Sequence, residues 1–264
     1  MPSPLPVAAL PRRDRVLILT CILIVTALAW AYLLHLDRQM SSSMAHDRMM
    51  MEMGMSMDMP WTAADVFLTL AMWVVMMAGM MAGTAAPMLL LFAAARSGRG
   101  GRGVPLAVVM FGAGYAIVWA GFSACATLAQ WALHHAAKLS PAMAASSPYL
   151  AGVILIAAGA YQLTPWKRTC LTHCRSPLGF LMTHWREGRL GALRMGLGHG
   201  AYCLGCCWAL MCVLFVVGVM NLVWVAAMTG FVLFEKIGPG GVIVARVAGA
   251  AMVARGILMI AAVA

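Results

Sequence analysis

Charge, and negative charge above all, is what this sequence has least of. The 264 residues include eight Asp and Glu against 18 Lys and Arg, and charged types make up only 10% of the chain. An ordinary soluble domain carries roughly a quarter, so that class is excluded. The 63% apolar content equally excludes a disordered chain, which lacks the apolar surface to bury. No apolar run alternates with polar residues as a barrel strand must. The chain has no GxxxxGK[ST] phosphate loop: the Gly-rich turn SGRGGRG at 97–103 has another spacing. Nor does it show an internal repeat, which argues against the inverted-repeat plan of many transporters. The net charge of +10 does not call for nucleic acid. The basic residues sit in short segments between apolar runs, where membrane topology accounts for them.

What is present is a series of apolar runs. Seven can be drawn, at about 16–36, 63–95, 104–133, 148–163, 196–219, 222–234 and 241–264. They predict an all-α, polytopic transmembrane bundle of about seven spans. Thirteen Lys and Arg fall on one side of this arrangement and only Arg38, Arg48 and Lys138 on the other. The bias predicts a cytoplasmic N-terminus and a C-terminus outside, in the lipid bilayer of a bacterial inner membrane. The first run is too long for a signal-peptide core and reads as an anchor. The organisation expected is a basic segment and anchor over 1–36, an outer Met/His-rich loop over 37–60, and a six-helix membrane domain over 61–264. A basic cytoplasmic loop at 165–195 interrupts that domain.

Sulfur is the other excess: 25 Met and eight Cys, with seven His. Soft ligands in such density point to a soft metal. Residues 44–59 read MAHDRMMMEMGMSMDM. Here Met51, Met53, Met55, Met57 and Met59 alternate with Glu, Gly, Ser and Asp, so an extended segment would line their sulfurs along one edge. Met49 and His46 stand just before them. Thioethers bind Cu(I) and ignore hard cations, and they survive outside the membrane where free thiols oxidise. In the next helix Met72, Met76 and Met80 recur every fourth residue on one face, with Met77, Met81 and Met88 beside them. Taken alone that stripe is ordinary apolar packing; after the Met-rich segment it reads as a continuation of a sulfur path.

Two Cys/His groups follow. PWKRTCLTHCRSP at 165–177 places Cys170, His173 and Cys174 within five residues, a set that suits Zn(II) and Cu(I) alike. Lys167, Arg168 and Arg175 beside them favour the thiolate. In the fifth run His199, Cys203 and Cys206 form one stripe, with Cys207 on its border and Met211 a turn beyond Cys207. Polar groups at such depth are costly and tend to mark function. Cys21, Cys125 and Cys212 read as small buried hydrophobes. Glu235 and Lys236 read as interfacial, with Glu235–Arg246 as a candidate ion pair.

Several of these segments resemble a bacterial family of predicted metal-binding integral membrane proteins, domain of unknown function 2182. The resemblance rests on Trp73…Met76-Met77…Pro87, on Tyr161-Gln162…Pro165-x-Lys167…Cys170-Leu171…Cys174-x-x-Pro177, on Gly200-x-x-Cys203-x-Gly205-Cys206-Cys207-Trp208-x-Leu210-Met211, and on Met220-Asn221 and Glu235-Lys236. It covers about 65–260 and implies metal binding without a substrate or reaction. The segment at 49–59 lies outside it.

The function expected is therefore capture, relay or delivery of a soft metal, copper as Cu(I) first and zinc second, without catalysis. The expected partner is a periplasmic copper donor or a recipient metalloenzyme. Two other classes stay open. A membrane thiol–disulfide oxidoreductase would use Cys203 and Cys206, and a structural assembly subunit would use the sulfur residues for packing alone.

Overall fold

The structure is a computed structural model. It describes residues 10–52, 61–100, 103–136 and 144–262, and within 41–52 the backbone alone. Among these residues it contains nine helices and no strand. They are α1 (Arg12–Glu52), α2 (Ala63–Gly98), α3 (Val104–His135), α4 (Pro148–Leu163), α5 (Pro165–Arg175), α6 (Pro177–His184), α7 (Gly188–Val217), α8 (Leu222–Ile237) and α9 (Gly241–Ala261). Each of the seven apolar runs falls on a helix, the fifth only as far as Val217. Five helices are long and apolar enough to cross a membrane, and the count is six if α4 and α5 are one broken span. The helix α8 has 16 residues, about 24 Å.

Local sequence explains the breaks. Thr62 caps α2 in a reciprocal box with Asp65, satisfying two backbone donors that the first turn leaves unpaired. Pro165 cannot continue α4, yet it suits the first position of a new helix. Thr164 caps that new helix through Lys167 N, and α5 leaves α4 at 62°. Gly218 ends α7 at φ 95°, a conformation open chiefly to glycine.

The structure revises two expected loops. Residues 37–52 contain neither Gly nor Pro, so nothing in their propensity stops a helix, and α1 runs on to Glu52. His46, Met49 and Met51 therefore ride on helical backbone, and Met51 does not begin an extended edge. The segment at 165–195 is no loop either: it folds as α5, α6 and the start of α7, which begins eight residues before the expected Gly196.

Neighbouring contacts set the direction of each helix. Ile18 clusters with Ala93 and Ala94 and Gly79 meets Ala29, so α1 and α2 are antiparallel. Trp73 reaches Gln130 while Phe92 stacks near Phe111, making α2 and α3 antiparallel. In contrast α3 and α7 are parallel, with Gly196 against Phe111 and Gly200 against Val118. Ala145 N donates to Phe215 O and Tyr161 donates to Gly205 O, so α4 opposes α7. Gly152 faces Gly256 and Gly159 faces Gly249, so α9 opposes α4. Thus α1, α3, α7 and α9 run one way and α2 and α4 the other. The core between them holds Met72, Met76, Met77, Met80, Met81, Cys203, Cys206, Cys207 and Met211.

Candidate metal site

The site forms where α2, α5, α7 and α8 meet. On α7, Cys203, Cys206 and Cys207 are each 1% exposed. Cys206 and Cys207 both donate to the Cys203 carbonyl oxygen at 3.0 Å, the usual resting bond of a side chain folded back on its own helix. Cys174 of α5 faces this stripe, with its Sγ 3.9 Å from Cys206 Sγ. Cys170 sits against Gly205: a Cβ there would stand 2.8 Å from Cys170 Sγ. The missing side chain of Gly205 is thus what seats α5 against α7. His173 is held on the same face, its ring stacked on Tyr202 at 4.4 Å and nearly parallel to it.

Hence the two Cys groups, separate in the sequence, belong to one assembly. His199 lies one turn before Cys203 on the same helix. It is buried between Phe111, Tyr115 and Phe180, and its Nδ1 has no hydrogen-bond partner. Among the described residues no three His, Cys, Asp or Glu side chains already form a metal cage. The fold gathers a facing thiol pair instead, with further thiols on the adjoining turn and thioethers around it.

Met72, Met76 and Met80 are buried along α2, as are Met77, Met81 and Met88. Met72 and Met80 are about 12 Å apart along the helix. The side chains of His46, Met49 and Met51, and residues Met53, Met55, Met57 and Met59 altogether, lie outside the described residues.

The charged residues depart from expectation. Lys236 is buried between helices: it is 8% exposed and donates to Cys203 Sγ at 2.9 Å and to Thr84 Oγ1 at 3.3 Å. Its Nζ also lies 4.0 Å from Met81 Sδ, and Tyr115 Oη is 3.0 Å from the same Cys203 sulfur. Glu235 does not pair with Arg246, which is exposed on α9. It pairs with Lys167 at 2.8 Å, both side chains 1% exposed, and accepts from Gln162. Arg175 donates to the backbone oxygens of Glu235 and Gly238. Two of the three cations expected to face the Cys170/Cys174 thiols are therefore spent on fastening α5 to the end of α8. Sequence reasoning missed the contact of Lys236 with Cys203; the only available signal was a lysine following an apolar run.

No curated protein and no solved structure is detectably similar to the chain. A family described as PpoB2, copper chaperone, matches residues 70–259, a stretch that includes the α2 methionines and both Cys groups. The metal-binding content of the family resemblance is carried by this match, under another family name. With most of its length inside the match, the chain belongs to the PpoB2 copper chaperone family.

Proposed function

We propose that this is an integral membrane protein of the bacterial inner membrane that takes Cu(I) as cargo and relays or delivers it. The observation that carries the reading is the approach of Cys174 to Cys206 at 3.9 Å inside a sulfur-lined core. Two thiolates each about 2.3 Å from one metal stand roughly 4 Å apart, so this pair closes on an ion with little movement. The thiols of Cys206 and Cys207 give up only weak bonds to a carbonyl when they turn toward it. Such an open arrangement suits a cargo that must leave again.

In this reading His46, Met49, Met51, Met53, Met55, Met57 and Met59 collect copper outside. Met72, Met76 and Met80 conduct it, His199, Cys203, Cys206 and Cys207 hold it, and Cys170, His173 and Cys174 accept or release it. Neutral thioethers bind more weakly than thiolates, so affinity rises inward. A periplasmic copper donor and a recipient metalloenzyme are the partners expected at the two ends. The parallel run of α7 and α9 supports seven crossings, with α8 returning the chain between them, and the bias of Lys and Arg supports an inside N-terminus.

The facing thiols favour one second reading, a thiol–disulfide oxidoreductase, with Cys174 as a candidate partner beside the Cys203/Cys206 pair. Elemental analysis of detergent-purified protein loaded anaerobically separates the two. Wild type is expected to hold stoichiometric copper, Cys174→Ser/Cys206→Ser to lose nearly all of it, and deletion of 43–59 to lose the outer share. Zinc lost only from the Cys variant would replace copper with zinc. No metal, together with a reversible dithiol by titration, would replace the copper reading with the redox one. Neither metal nor titratable pair would leave a structural subunit.

A further inference from the structure

Lys236 is a buried lysine that pairs with no carboxylate among the described residues. The neighbouring Glu235 is engaged by Lys167 and Gln162, so that pair is neutral as a unit. Arg175, the other cation near this end of α8, binds backbone oxygens. What faces the Lys236 ammonium is the Cys203 sulfur, the Thr84 hydroxyl, the Met81 thioether and, across Cys203, the Tyr115 hydroxyl. A full positive charge is therefore built into the wall of the thiol site, in contact with one of its sulfurs.

We propose that Lys236 sets the charge selectivity of this site, admitting a monovalent soft ion and disfavouring a divalent one. The inference rests on the copper-binding reading above. Donor chemistry alone does not make the choice, because thiolates and imidazoles hold Zn(II) as readily as Cu(I). Charge does. A fixed cation repels a divalent ion twice as strongly as a monovalent one at the same place. For a separation of about 5 Å and an effective dielectric of about 20, the extra unit of charge is worth on the order of 100-fold in binding. The surrounding thioethers are neutral, and among the described residues no free carboxylate is at hand to offset it. A metal-bound sulfur still accepts a hydrogen bond, so the Lys236 contact to Cys203 can persist once the ion is seated.

The test compares Cu(I) and Zn(II) affinities of the full-length, detergent-purified protein under anaerobic conditions, using competing chromophoric chelators. Lys236→Gln keeps a donor and removes the charge, Lys236→Leu removes both, and Lys236→Arg keeps the charge. The expected result is that Zn(II) gains on Cu(I) by on the order of 100-fold in the Gln and Leu variants, while the Arg variant keeps the wild-type ratio. Two neutral variants of different polarity guard against one that fails to fold, which gel filtration reveals. An unchanged ratio in a folded neutral variant overturns the role of Lys236 and leaves the copper site standing. A wild type that binds no Cu(I) overturns the copper reading itself, and this inference with it.

Discussion

At the scale of single residues, the buried Lys167–Glu235 pair is the most consequential feature outside the thiols. It ties α5 to α8, and through α5 it places Cys174 opposite Cys206. Removing one member strands a buried charge, which costs about 3–5 kcal/mol, whereas replacing both with neutral groups costs far less. Lys167→Met is therefore expected to lower the thermal unfolding midpoint in detergent strongly. Lys167→Met/Glu235→Gln should recover most of that loss. Equal losses in the single and double variants would mean that the pair is not stabilised as a unit. The sequence announced the thiols and imidazoles clearly, because Cys and His are rare enough in apolar helices to stand out. It did not announce their partners. Lys167 and Glu235 are 68 positions apart, and Lys236 reaches Cys203 across 33. No helical period links such residues, so their pairing exists only once the bundle has closed.

Between elements, helices meet where glycine removes the side chain. Among packing interfaces, α4 and α9 meet through Gly152, Gly159, Gly249 and Gly256, where an added Cβ would stand 2.6–3.0 Å from the facing backbone oxygens. The spacing of seven residues on each helix repeats the contact every two turns. Without a hydrophobic drive between helices in lipid, such close approach supplies the packing that holds them. Gly159→Leu is expected to separate α4 from α9 and destabilise the fold by at least the ~1–3 kcal/mol typical of overpacking. The exposed Gly121→Leu, with nothing within 4 Å of its Cβ, is the matched control. Comparing their melting points in detergent checks the assignment. The small residues were legible as a mark of close packing, but which helices they joined was not. The helices within 165–195 were hidden for a related reason. Their basic residues look like loop composition, whereas Thr164-Pro165 starts an amphipathic helix whose apolar side needs α7 to cover it.

On the scale of the whole molecule, the direction of each helix bears on where the proposed copper path begins and ends. Contacts make α1, α3, α7 and α9 parallel to one another, with α2 and α4 reversed. If α7 and α9 both cross, the segment between Val217 and Gly241 must cross as well, although α8 has only 16 residues. A helix of about 24 Å is shorter than a hydrocarbon core of about 30 Å, but its flanking residues and local thinning of the bilayer can make up the difference. Seven crossings put the two termini on opposite sides, and six put them on the same side. Reporter fusions at the C-terminus distinguish these outcomes. With the basic N-terminus inside, a C-terminal alkaline phosphatase is expected to be active and a C-terminal green fluorescent protein dark. The opposite pattern would mean that α7 and α9 do not both cross, and would overturn the seven-span reading.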